Sequence, residues 1–389
     1  MAGLKTRFGR RLRLGMIGGG PDSWIGRMHQ GGATLDGWWD VVAGVWSSDP
    51  ERSRAAGPEL GVDAGRSYGG VAEMIAREQA RPDGIEAVAI MTPNDTHYPY
   101  AAAALNAGLD VICDKPVTHD FAQARDLVSR VRATGRLFAI THGYSAYPMI
   151  RYAARIVREG GLGALRLVQV EYIQAGLATR LEDAPPSNRL RWLLDSRRSG
   201  LAQVMSAIGC HAQHLACFVT GRDVARVCAE AGTAVPNRTL IDHVSALVQF
   251  DGGCYGTFTA FQAAAGSEND IRLRVYGERG MIDWSHRECS YLRVAMQGES
   301  ARIVSRGDAG LPPEILATGR SPKGHPEGLL QAFANLYGEV AQERMAIALG
   351  DARPAFPYPR IEDGAHSMAF IEACLASKAA GAWADVARL

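Results

Sequence analysis

Between Leu12 and Ile140 short apolar runs alternate with helix-length amphipathic segments, a rhythm that predicts parallel strands wound with helices. Strands are expected at Leu12–Ile17, Val41–Trp46, Ala87–Met91, Asp110–Cys113 and Phe138–Thr141. Helices are expected near Ile25–Leu35, Pro50–Leu60, Val71–Gln79, Thr96–Ala107 and Phe121–Ala133. Gly108 and Gly135 stand where a helix ends in a left-handed residue. After a helix over Tyr147–Arg158 the period shortens to two. Alternating segments follow at Leu165–Tyr172, Val224–Ala231, His243–Phe250, Cys254–Ala263, Arg272–Tyr276 and Met281–Trp284. Turn-forming stretches such as Asp251-Gly252 and Glu278-Arg279-Gly280 separate them, which predicts a large, mostly antiparallel open sheet. Helical spacing returns over Gly328–Leu349 and Ile361–Ala379, split by a Pro-rich link. The fold class is therefore α/β, with a doubly wound parallel sheet over residues 1–145 and a second α/β domain over 146–389. The last helices are able to pack back on the first domain.

Composition narrows this picture without redirecting it. A length of 389 residues suits two domains, and 47% hydrophobic with 21% charged residues is the balance of a folded chain. With 42 Lys plus Arg against 41 Asp plus Glu, bulk charge gives no pull toward nucleic acid or an anionic membrane, so neither is expected as a partner. Seven cysteines are scattered with no Cys-x-x-Cys spacing, which argues against a disulfide framework and a zinc site and for a reducing cytoplasm. The basic start, Met1 to Arg13, reads as a frayed tail with no signal-peptide core behind it, and no apolar window is long enough for a membrane span. Ala178 to Gly200, rich in Arg and Pro, has no period and reads as a loop beside a cleft, a candidate lid. Its Arg180, Arg189, Arg191, Arg197 and Arg198 are either solvated charges or forks for an anionic handle on a substrate.

The first strand runs into Gly15-Met16-Ile17-Gly18-Gly19-Gly20, and Gly26 follows near a helix start. Gly18, Gly20 and Gly26 let backbone approach a pyrophosphate met by the positive end of the helix, although the spacing departs from G-x-G-x-x-G. The pattern points to a Rossmann-type dinucleotide site, the alternative being a Gly-rich turn that merely joins strand to helix. At the end of the second strand, Ser47 and Ser48 occupy the place of the acid that would accept from the ribose of NAD, with Asp49 displaced and Arg52 either within reach for a 2′-phosphate or simply a solvated helix residue. NAD and NADP both stay open.

Two more stretches fall at strand ends: Thr92-Pro93-Asn94-Asp95-Thr96-His97 and Asp114-Lys115-Pro116. With the Gly-rich turn before them and Gly324-His325-Pro326-Glu327-Gly328 and Ala332-Phe333-Ala334-Asn335 after, the chain resembles the Gfo/Idh/MocA oxidoreductases over nearly its whole length. The resemblance implies a Rossmann domain and an open-sheet domain that faces the nicotinamide and packs against a second subunit as a homodimer or homotetramer. It implies an NAD(P)-dependent enzyme moving a hydride to or from a secondary alcohol or ketone of a sugar, polyol or related cyclic substrate. Thr92, Pro93, Asn94, His97 and Asp114 would line the cofactor, His97 alternatively serving as a capping or packing residue. Lys115 would donate to the substrate oxygen and stabilise negative charge as it develops.

His211 matches the family's proton-handling histidine, but the aspartate expected four residues earlier is Ala207. Three readings follow. Another acid enters the cleft, Asp195 or Glu171; or Lys115 and His211 suffice; or efficient redox chemistry is lost and a cofactor-binding protein remains. A redox-neutral sugar-modifying enzyme with retained NAD(P) is a further alternative. Tyr144 is a further possible donor to substrate, or an aromatic packing residue. No metal site is expected.

Overall fold

The computed structural model describes residues 2–183, 195–200, 202–354 and 357–389. Arg189 and Arg191 of the expected lid lie outside the described residues, as does the side chain of Arg197. The chain forms two compact units, one of Met1–Thr118, Ala122–Ala146 and Leu329–Gly364, the other of His119–Phe121, Tyr147–Gly328 and Ala365–Leu389.

In the first unit α1 (Ala2–Phe8) leads to β1 (Leu12–Gly18), α2 (Trp24–Thr34), β2 (Trp39–Val45), α3 (Pro50–Ala56), α4 (Val71–Gln79), β3 (Ala87–Met91), α5 (Asn94–Asn106), β4 (Asp110–Cys113), α6 (Phe121–Thr134) and β5 (Phe138–Ile140). The five strands are parallel in the order β2-β1-β3-β4-β5. Every residue of β3 and β4 is buried, as expected of central strands covered on both faces. From β1 the chain winds outward to β2, then crosses back to β3 on the other side. That reversal opens a crevice at the carboxyl ends of β1 and β3. Leu329–Ala348 packs against α2 closely enough that a Cβ on Gly32 would lie 2.7 Å from that of Phe333.

The N-terminal start is not a frayed tail. It is helical, because Arg7 meets Asp351 at 2.8 Å and Lys5 lies 4.0 Å above the Trp38 ring while bonding the Asp36 carbonyl. These partners are distant in the chain, so no local pattern announces them.

The second unit carries α7 (Pro148–Arg158), β6 (Leu165–Gln174), α8 (Cys210–Thr220), β7 (Val224–Gly232), β8 (His243–Phe250), β9 (Tyr255–Phe261), β10 (Asn269–Gly277), β11 (Gly280–Ser285), β12 (Tyr291–Met296), β13 (Arg302–Ser305) and β14 (Ala384–Asp385). The nine strands run β13-β12-β11-β10-β6-β9-β8-β7-β14, antiparallel except for the β6–β9 pair. Alternate residues of β8 are buried, and on the same side Phe258 meets Phe370 of the last helix edge to face at 5.2 Å. The opposite positions include exposed Leu247, Tyr255, Tyr291 and Ile303. Strands β12 and β13, six and four residues long, were not expected. Among the described residues no helix is long and apolar enough to cross a membrane. The seven cysteines are free thiols.

Candidate active site

The turn after β1 is built by glycines that no other residue could replace without displacing backbone. Gly18 and Gly19 have φ of +90° and +75°. A Cβ on Gly18 would lie 2.5 Å from the Met91 carbonyl oxygen at the end of β3, and one on Gly20 would lie 2.8 Å from the Trp46 carbonyl oxygen. Gly26, in the first turn of α2, packs on Gly19, where a Cβ would sit 2.6 Å from both Cα and O. The Ser23 side chain accepts from the Gly26 N–H and caps the helix. The outcome is a tight cradle at the positive end of α2, at the switch point of the sheet, and it fits the pyrophosphate of a dinucleotide. Beyond β2, the Ser47 hydroxyl oxygen accepts from the Asp49 N–H at 3.1 Å and the Asp49 carboxylate accepts from the Arg52 N–H at 2.9 Å, capping α3.

One strand further along the same carboxyl edge, β4 delivers Asp114 and Lys115, both half-buried. The Asp114 carboxylate accepts from the Lys115 N–H at 2.9 Å and from the Thr141 hydroxyl at 2.7 Å, which ties the turn to the end of β5. The Lys115–Pro116 peptide is cis. His97 does not line an open wall. It is 1% exposed, with Nδ1 2.7 Å from the Pro116 carbonyl oxygen and Nε2 2.8 Å from that of Thr92. The packing role wins because α5 turns the ring inward, where it braces the lysine turn against the end of β3. Burial lowers the His97 pKa, and Asp114 and the two carbonyls oppose that shift. Asn94 is also buried, while Thr92 and Pro93 are half-buried, with Thr96 donating to the Thr92 hydroxyl at 2.7 Å. Deeper still, His29 Nδ1 meets the Tyr337 hydroxyl at 2.7 Å, and burial pushes His29 down to about 4.

In the second unit the segment Met205–Gly209 is a π-helical turn leading into α8, a feature that recurs at functional sites. From Ala202 to Ala216 every residue is buried except Ala207 and His211. Four residues apart, these two share the one face that this stretch presents to solvent. The Tyr172 ring of β6 lies 6.3 Å from that of His211, and its hydroxyl donates to Asn269 Oδ1 at 2.7 Å. Tyr172 was missed in favour of its neighbour. Glu171 points to the opposite side of the strand, within 3.8 Å of Arg274, so the structure does not bring it together with His211. Asp195 is half-buried, and its carbonyl accepts from the N–H groups of Arg198 and Ser199 in a single helical turn. Arg180 pairs with Asp183 at 3.1 Å, in keeping with a solvated loop charge. Tyr144 is 6% exposed in the first unit, buried as a packing residue would be. His214 is buried as well.

A glycine cradle at a sheet's switch point beside a lysine on the next strand end defines a dinucleotide-binding oxidoreductase fold. Residues 12–142 match the oxidoreductase family with an NAD-binding Rossmann fold, and residues 150–283 match the GFO/IDH/MocA C-terminal domain. The chain belongs to the Gfo/Idh/MocA family. An uncharacterised oxidoreductase of Bacillus subtilis (strain 168) is 31% identical over 96% of each chain. An inositol dehydrogenase homologue from Azotobacter vinelandii, solved with NADH and myo-inositol, is 31% identical over 97% of this chain and 98% of that one, with a TM-score of 0.89. The levoglucosan dehydrogenase of Pseudarthrobacter phenanthrenivorans is 24% identical over 98% of this chain and 99% of its own.

Proposed function

We propose that this protein is a dehydrogenase or reductase acting on a secondary alcohol or ketone of a sugar, polyol or related cyclic substrate. The observation that carries the reading lies within the first unit. Lys115 is held at the carboxyl edge of the same sheet that forms the glycine cradle, and hydrogen bonds from Thr141 and His97 set its turn. Relatives named for inositol and levoglucosan support the substrate class.

When bound, the dinucleotide supplies or accepts the hydride at its nicotinamide ring. Gly18, Gly20 and Gly26 would hold its phosphates, with Ser47 and Ser48 near its adenosine ribose. The Lys115 ammonium donates to the substrate oxygen and stabilises the charge that builds there as the carbon changes oxidation state. His211 takes or returns the hydroxyl proton, a task suited to a side chain whose reference pKa is ~6.5. Ala207 leaves room beside it for a substrate hydroxyl, so no second acid is needed for the proton step.

The chain works as a homodimer or homotetramer through the β-sheet face bearing Leu247, Tyr255, Tyr291 and Ile303, and the seven free thiols fit a reducing cytoplasm. The reading is tested by adding oxidised dinucleotide and a panel of cyclic polyols and sugars and following nicotinamide absorbance. Substrate-dependent reduction is expected. Turnover of sugar with no absorbance change would instead mark a redox-neutral enzyme, and binding without any turnover would sink the proposal.

A further inference from the structure

The end of β2 decides which dinucleotide a fold of this kind prefers. An acid there accepts from the two ribose hydroxyls and repels a phosphate, whereas hydroxyls and an arginine welcome one. We infer that Ser47, Ser48 and Arg52 form a site for the 2′-phosphate of NADP(H), so that this chain binds NADP(H) at least as tightly as NAD(H). The inference rests on the reading that the first unit holds a nicotinamide dinucleotide.

The local architecture brings these residues to the right place. Trp46 turns inward, its N–H donating to the Ser53 hydroxyl at 2.9 Å and its indole to Ser67 at 3.3 Å, which leaves Ser47 and Ser48 as the next residues toward solvent. Gly20 approaches the Trp46 carbonyl so closely that a Cβ would lie 2.8 Å away, which seats the phosphate turn directly beside this exit.

The charges point the same way. Asp49, the acid nearest the strand end, has its carboxylate engaged as the cap of α3, accepting from the Arg52 N–H. The Ser47 hydroxyl oxygen accepts from the Asp49 N–H, which leaves its own hydrogen to donate outward. Arg52 is exposed, and among the described residues its guanidinium has no ion pair or hydrogen bond, only its backbone N–H being engaged. Its neighbour Arg54 is held by Glu73 at 3.1 Å, and the surface residues Arg7, Arg11 and Arg81 are paired in the same way. An unpaired arginine one turn past two serines suits a phosphate monoester of charge about −2. Glu51 is the acid that works against it, so Glu51→Gln should favour NADPH further.

The test measures binding alone, on the whole chain with no substrate, by titrating NADPH and NADH separately and following the fluorescence of the reduced ring. NADPH is expected to bind at least as tightly as NADH. Arg52→Ala should weaken NADPH about tenfold or more, the loss of one charge-assisted contact, and leave NADH within about twofold. Arg52→Lys should recover part of the loss, and added salt should narrow the gap between wild type and Arg52→Ala for NADPH only. If NADH binds and NADPH is tenfold weaker, or if Arg52→Ala weakens both equally or neither, this inference is overturned while the dehydrogenase reading stands. If neither dinucleotide binds, both fall.

Discussion

The lysine turn of the first unit and the histidine face of the second are built on opposite plans. Around Lys115, neighbouring elements contribute buried or part-buried polar contacts: Asp114 to Thr141 and to the lysine N–H, and His97 to the carbonyls of Thr92 and Pro116. Around His211 the accessible face holds a methyl group, at Ala207, where the family places a carboxylate. A side chain braced by buried hydrogen bonds costs about 1–3 kcal/mol for each partner left unpaired, so the first plan resists change. The half-buried methyl group of Ala207 imposes no such penalty. On the proposed reading, the lysine turn is pinned by its neighbours, whereas the face beside His211 can be altered at Ala207 with little structural cost.

The strongest way to break that contrast is Lys115→Met. Turnover should fall about 10²–10³-fold, the cost of one donor at a developing oxyanion, with dinucleotide affinity retained. Undiminished turnover would remove the lysine turn from the chemistry.

A second prediction probes how tightly the first unit is pinned. His29 is buried with its pKa lowered from 6.5 to about 4, so between those values the unfolded chain binds a proton that the folded chain refuses. Its contribution to stability is therefore present above pH 6.5 and is lost as pH falls toward 4, by up to about 3 kcal/mol. Denaturant titrations across this range should show the decline, and His29→Gln should flatten it. A slope unaltered by the substitution would mean that other groups dominate acid sensitivity.

Restoring the acid sharpens the other side of the comparison. Ala207→Asp should change kcat/KM for a polyol by about tenfold, chiefly through KM, as a charged hydrogen bond to a substrate hydroxyl is gained. No change in either constant would place this face outside the substrate site. The smallest effect is expected for Glu171→Gln, within about twofold in kcat and KM, because that carboxylate lies on the far side of β6 beside Arg274. A loss of tenfold or more there would reverse the assignment in favour of Glu171 over Tyr172.

Much of the first unit was readable along the chain because its signals are local. Continuous apolar runs mark strands covered on both faces, and β3 and β4 fell within their expected bounds. The glycine cluster and Asp114-Lys115-Pro116 were equally plain, each being a backbone or turn requirement written in consecutive residues. The inward turn of His97 was left open, since its Pro116 partner lies 19 residues away and only the pairing of β3 with β4 brings the two together. Choosing Glu171 over Tyr172 had a related cause. Alternation says that the two residues face opposite ways, but which face meets His211 depends on where α8 packs. The helix of Ala2–Phe8 escaped notice because its ion pair to Asp351 spans 344 residues.

Periodicity, glycine placement and turn chemistry are properties of neighbouring residues, and they alone determined that this chain is a parallel α/β unit joined to an open sheet, with a phosphate cradle and a lysine at strand ends. Burial and partnership are properties of residues far apart in the chain. Only the tertiary structure decided that His97 is turned inward against the lysine turn, that Tyr172 accompanies His211, and that the Arg52 guanidinium meets no acid among the described residues.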